Sequence, residues 1–395
     1  MKKLLPLITV CVLLCALALA AACSASPAGA LNAADLAADA VFTSAAGEKM
    51  KSAACKGENE GGFDAELGRQ KTFNSAYIAA EGEDVRITIS SPDGELYTGA
   101  SGYCVFTSAS AQRLSVRISA AGKWKISDFA LFNAPAPKAG AAAQVTAADV
   151  LAGKYSAADF EHASHAILRA NVLFDADGNV SYHDVDGKNG AQYFAAAAAA
   201  LKELAGGKPI LMHADALYRA DSDDLPDPAH LRYSALRDHR YATASNLSAA
   251  VRAHGLNGLH IDFSDSPNES TVFYYLADFA RVWKSYSGTA FAATMRFDGA
   301  ISRSEKLADT FAELFKEDAA GKAPIDMLIL TAPEQTYDGA AEFAGLSSKF
   351  PLCLSLDCAA DNAAGIGAFV LDCGAGVCCA DISSVRDMLN TVTSR

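Results

Sequence analysis

Hydrophobic and polar positions along this chain follow two different periods. Between residues 34 and 133 the pattern is short and two-fold. Tyr77-Ile-Ala-Ala80, Val85-Arg-Ile-Thr-Ile-Ser90 and Leu114-Ser-Val-Arg-Ile-Ser119 alternate apolar with polar side chains, and turn formers such as Pro92-Asp-Gly94 separate them. Alternation of this kind places one face of each strand in a core and predicts an all-β sandwich. From about residue 145 onward, short apolar runs alternate with helical stretches. The runs are Ala163–Phe174, Lys208–Asp215, Gly255–Ser264, Phe291–Arg296, Ile325–Thr331, Leu352–Leu356 and Gly367–Leu371. The helical stretches are Ala195–Leu204, Tyr241–His254, Thr271–Tyr286 and Asp381–Val392. Strands alternating with helices imply a parallel α/β domain, either an open doubly wound sheet or a closed barrel. The Pro/Ala/Gly-rich stretch Ala134–Ala143 reads as the linker between the two parts, and Gln144–Ala152 as the first strand of the second.

Residues 1–22 have a different character. Met1-Lys2-Lys3 is positive, Leu4 to Leu19 is apolar, and Ala20-Ala21-Ala22 precede Cys23. This resembles a bacterial lipoprotein signal, with Cys23 as the lipidated first residue and 23–33 as a small, polar tether. An ordinary secretory signal cut at an Ala-x-Ala site is the alternative. The expected location is therefore outside the cytoplasm, tied to a bacterial membrane through the lipid. The formal charge of −13 and the lack of a basic run argue against a nucleic-acid partner. In an oxidising compartment Cys55 and Cys104 would be the natural disulfide pair of the first domain. Cys353, Cys358, Cys373, Cys378 and Cys379 form an odd set near the C-terminus, so at least one of them stays free or pairs outside it.

The run Gly255-Leu-Asn-Gly-Leu-His-Ile-Asp-Phe-Ser264 ends in a row of polar side chains. It resembles the active-site strand of glycoside hydrolase family 18, the chitinases and related endo-acting N-acetylglucosaminidases, whose pattern is Asp-Gly-x-Asp-x-Asp-x-Glu. Asn257, His260, Asp262 and Ser264 stand at the four acidic positions. Ala163–Phe174 followed by Asp175-Ala-Asp-Gly-Asn179 resembles that family's second barrel strand and hairpin, and Lys208–Asp215 its third strand. The order of these segments favours the closed (β/α)8 TIM barrel over the open sheet and places it at 145–395. In the first domain, Phe63–Arg69, Leu114–Ile118 and Trp124–Phe132 resemble strands of the discoidin (coagulation factor 5/8 C-type) jelly roll. Trp124 reads as core rather than as a sugar platform.

The resemblance implies a glycan ligand containing N-acetylglucosamine, while the residues argue against cleavage. The family needs a carboxylic acid to protonate the leaving oxygen, and Ser264 is far too weak an acid for that work. The family's strand-six Tyr-Asp is replaced by Ala332 and Pro333, and Leu371 stands where strand eight carries a tryptophan. Asp265 and Glu269 are the carboxylates placed to act as substitutes, which would make the chain a divergent active endo-glycosidase. His213, Asp215, His260, Asp262, Arg296 and Asp372 are the expected ligand-contacting set, each near a predicted strand end. His260 and Asp262 have the chemistry for one edge of a divalent-metal site, but a neutralised polar network fits better, so no metal and no cofactor is expected. A surface interaction protein with a filled barrel mouth is the third reading.

Overall fold

The computed structural model describes residues 27–216, 228–264, 269–296, 312–319, 321–331, 335–347 and 350–395. The N-terminal part is an all-β domain. Its strands are β1 (Val41–Ser44), β2 (Lys49–Met50), β3 (Cys55–Gly82), β4 (Arg86–Ser91), β5 (Gly94–Ala100) and β6 (Gly102–Phe132). They form one antiparallel sheet in the order β2-β1-β3-β6-β4-β5. Strands β3 and β6 pair along their length through repeated register shifts. Bulges of this kind bend a strand and add twist, so a two-fold hydrophobic pattern can enclose its own core. Phe63 stacks edge-on against Phe42 and Phe129 at 5.6 and 5.2 Å, over Ile87, Leu114 and Val116. Trp124 belongs to this core. A Cβ added at Gly57 or Gly61 would lie 2.4 or 2.3 Å from its indole ring, so the two glycines are the slot that admits it.

The expected Cys55–Cys104 disulfide is absent; both cysteines are free. The register explains why. Cys104 pairs with Ala76, Ala80 pairs with Ile126, and Ile126 pairs with Cys55. Two strand segments therefore separate the cysteines, a distance of roughly 14 Å at the usual spacing between strands, beyond the reach of a disulfide.

The C-terminal part is a closed parallel barrel. Its strands in chain order are β7 (Ala141–Thr146), β8 (Ala163–Arg169), β11 (Ile210–His213), β13 (Gly258–Asp262), β14 (Ala290–Arg296), β15 (Met327–Thr331), β16 (Leu352–Leu356) and β17 (Gly376–Cys379). Between β8 and β13, β9 (Val172–Phe174), β10 (Val180–Tyr182) and β12 (Asp215–Ala216) make a small side sheet. Asp175 closes its hairpin by accepting the backbone N–H groups of Asp177 and Asn179 at 3.0 and 2.8 Å. The barrel interior is filled by Ala142, Ile167, Leu211, Ala292, Met327, Ile329, Cys353 and Cys378.

Two strand assignments need correction. The first strand begins at Ala141, inside the expected linker, and 147–151 form a helix capped by the Thr146 hydroxyl. Ala141, Ala142 and Ala143 are fully buried, so enclosure between neighbouring strands overrides alanine's weak strand preference. The expected eighth strand, Gly367–Leu371, lies within a helix (Ala363–Asp372), and β17 takes its place. That helix is apolar on every side because it is covered twice. One side meets the barrel wall. On the other, Phe369 meets Tyr103 at 5.5 Å and Tyr337, from the preceding helix, meets Tyr77 at 5.6 Å. Tyr77 and Tyr103 belong to the β domain, so one apolar core runs through both parts.

Candidate functional site at the mouth of the barrel

Side chains alternate along β13. Leu259 and Ile261 point outward into the helix-facing core, while His260 points into the barrel. His260 is completely buried. Its Nδ1 lies 2.9 Å from Nδ1 of His213 on β11, and its Nε2 lies 2.8 Å from Oγ1 of Thr294 on β14. A contact between two Nδ1 atoms holds one hydrogen, so one ring donates and the other accepts. The surroundings enforce neutral rings. Burial pushes His213 well below the usual imidazole value, and His260, Arg169 and Arg232 push it further. Burial lowers His260 to about 4, opposed by Asp262 and assisted by Arg169.

Asp262 sits one layer nearer the mouth. Its Oδ1 accepts the Ser264 backbone N–H at 2.9 Å, and its Oδ2 lies 3.9 Å from Nη2 of Arg169 at the end of β8. Arg232 donates to the Asp262 carbonyl at 2.9 Å and to Asp215 Oδ1 at 3.5 Å. Its guanidinium also lies 5.9 Å from the Phe263 ring. Arg169, His213, His260, Thr294 and Asp262, on adjacent strands, and Arg232, from a helix, thus form one polar network. The Asp262 carboxylate thus accepts one backbone N–H and faces one cation.

The other predicted residues divide. Asp215 joins the layer from β12, where its Oδ1 also accepts the Ala216 N–H. Arg296 ends β14 with an exposed side chain. Asn257 does not reach the mouth. It precedes β13, where its Oδ1 accepts the Ile210 N–H at 2.9 Å, and so fastens the opposite end of the barrel. Asp372 is also misplaced. It ends the helix against the β domain, where Tyr103 Oη and Arg395 Nη1 donate to its Oδ2 at 2.5 and 2.6 Å. The expected aromatic position at Leu371 falls away with that strand. Cys379 ends β17 instead. Asp265, Ala332, Pro333 and Cys23 lie outside the described residues. Glu269 opens the helix Glu269–Ser287, and its side chain is likewise outside them. No group of three or more potential metal ligands occurs among the described residues.

Sequence reasoning missed Arg169, Arg232 and Thr294. Arg169 carried a usable signal, a lone cation closing the apolar run Ala166-Ile-Leu168. Arg232 arrives from a helix 30 residues before the Asp262 carbonyl it meets, and nothing local announces it.

No protein-family model matches the chain, and no curated protein matches it. Among solved structures, the chain is similar to the GH18 chitinase ChiB of Flavobacterium johnsoniae at 12% identity, over 65% of this chain and 94% of that one, with a TM-score of 0.46. A chitinase from Bacteroides thetaiotaomicron matches at 12% over 65% and 96%, TM-score 0.46. A GH18 chitinase from Pseudoalteromonas aurantia matches at 10% over 65% and 99%, TM-score 0.45.

Proposed function

We propose that this chain is an exported, lipid-anchored protein whose family-18-like barrel binds an N-acetylglucosamine-containing glycan and does not cleave it. The observation that carries this reading is the end of β13. Ser264 stands at the position of the family's acid, and the carboxylate two residues before it accepts the Ser264 backbone N–H and faces Arg169. Such a layer can orient a sugar's hydroxyl and amide groups. It supplies no proton to a leaving oxygen. The β domain, read as discoidin-like, would be fixed to the barrel as a rigid companion, and Cys23 would carry the lipid.

The test pairs turnover with binding. The full chain is incubated with a fluorogenic chitobioside, and heats of binding are measured against a panel of N-acetylglucosamine oligomers. The expected result is no release of fluorophore above buffer and saturable binding that weakens at least tenfold in Asp262→Ala. Turnover that disappears in Asp262→Ala would overturn the reading. So would the absence of binding to every glycan in a folded protein.

A further inference from the structure

We propose that Cys358 and Cys379 are a dithiol/disulfide couple at the barrel mouth, in which Cys358 attacks and Cys379 resolves. Cys379 ends β17 and is in register with Leu356 of β16, and Cys358 follows two residues later. Their thiols are neighbours, each the first influence on the other's titration, and the Cys358 thiol also donates to the Leu356 carbonyl at 3.7 Å. The backbone N–H groups of Ala380 and Asp381 also lie beside Cys358, as does the hydroxyl of Ser384, which donates to the Asp381 carbonyl at 2.7 Å. These groups belong to the start of the 12-residue helix Ile382–Thr393, whose N-terminal partial charge favours an anion. The sulfur of Cys358 therefore lies among polar groups at a helix start, and it is partly open to solvent. Cys379 first, and then the groups of the helix start, lower Cys358 to about 6 against the opposing effect of burial. Cys379 is buried and moves the other way, first because of the Cys358 sulfur beside it. Every other described cysteine with a shifted thiol is pushed up by burial: Cys55, Cys104, Cys353, Cys373 and Cys378. A partly exposed, easily ionised thiol beside a buried one is the arrangement needed for two-step exchange.

The oxidant is a disulfide, R–S–S–R, whether of low molecular weight or on another protein. The Cys358 thiolate bonds to one of its sulfurs, and the S–S bond breaks with its electron pair leaving on R–S⁻. Cys358 then no longer carries charge, so the main cause holding the proton on Cys379 is gone. Cys379 gives that proton to solvent and attacks Cys358 Sγ, and a second R–S⁻ departs. Two protein thiols are oxidised by two electrons, and one disulfide is reduced to two thiols. The product staples the exit of β16 to that of β17, across the mouth from β13. This couple does not depend on what the barrel binds.

The experiment equilibrates the full chain in glutathione buffers of increasing oxidation, followed by intact mass and peptide mapping. The expected result is one intramolecular crosslink, Cys358 to Cys379, and alkylation of Cys358 in the reduced protein with a midpoint near pH 6. Cys379→Ser should trap glutathione on Cys358, whereas Cys358→Ser should leave Cys379 unmodified. Failure to crosslink in fully oxidised glutathione would overturn the proposal, as would pairing of Cys358 with any other cysteine. Circular dichroism confirms that each variant is folded, and Cys379→Ala substitutes for Cys379→Ser if that variant is not. If neither folds, failure of the unmodified chain to crosslink still decides against the couple.

Discussion

Asp262 and Asp372 look equivalent in the sequence, since each closes an apolar run in the barrel half of the chain. The structure gives them opposite surroundings. Asp372 is sealed between the two domains, and its ion pair with Arg395 joins side chains that are 0% and 2% exposed. Burial pushes its carboxyl up, while Arg395 and Tyr103 pull it back. Arg395 also donates to the Asn74 carbonyl at 3.2 Å, so the last residue of the chain bridges barrel and β domain. Asp262 keeps 18% exposure, and its Arg169 partner keeps 43%. One carboxylate is spent on holding two domains together. The other stays partly open to solvent at the end of β13.

The largest effect expected from breaking this contrast lies at the interface. Asp372→Ala leaves a guanidinium and a phenol hydroxyl without their buried acceptor, and removing one partner of a buried pair typically costs about 3–5 kcal/mol. Urea unfolding should register that loss. The double variant Asp372→Leu, Arg395→Met removes both charges, and it should recover a large part of the stability lost by the single variant. A loss below about 1 kcal/mol in Asp372→Ala would show that the pair is not a structural joint.

The histidine layer beneath Asp262 comes next. Unfolded histidine titrates near 6.5, whereas folded His260 is held at about 4 and His213 well below its usual value. As pH falls through this window the unfolded chain takes up protons that the folded chain refuses. Stability is therefore complete above about pH 6.5 and declines toward pH 4, by about 3 kcal/mol for His260 alone. His165 and His254 are also lowered, and they add in the same direction. Carboxylates held low, such as Asp64, Asp175 and Asp381, act only below their usual range near 3.8. Melting temperatures from pH 7.5 to 4.5 check this. His260→Gln should flatten the profile, and an unchanged slope would mean that the pair is protonated in the fold.

The same contrast shows what the residue pattern can carry. The barrel was legible because its strands are short apolar runs separated by helical stretches, and β13 was legible in the polar positions that end its run. Two strands were not. In Ala141–Ala143 the side chains are too small to signal a strand, and burial on both faces decides the matter. In Gly367–Leu371 an apolar run without period is compatible with strand or helix. Its helical outcome depends on Tyr103 and Tyr77 covering it from the other domain, so Asp372 was assigned to the wrong end of the architecture. The site was half legible for a related reason. The strand-borne groups His213, His260 and Asp262 follow from their places near strand ends, but Arg232 reaches the network only through tertiary packing. Cys55 and Cys104 failed differently, since cysteine counting carries no register.

The smallest stability effect is expected at Asp262. Its pair with Arg169 spans 3.9 Å with both side chains partly in water, and such pairs contribute at most about 1 kcal/mol. Asp262→Asn retains an oxygen for the Ser264 N–H and removes only the charge. Its unfolding midpoint should stay within that limit of the unmodified protein, and Arg169→Ala should behave alike. If binding falls while stability holds, Asp262 and Asp372 divide as ligand contact and structural joint. A loss as large as that of Asp372→Ala would erase the distinction and assign Asp262 to the scaffold.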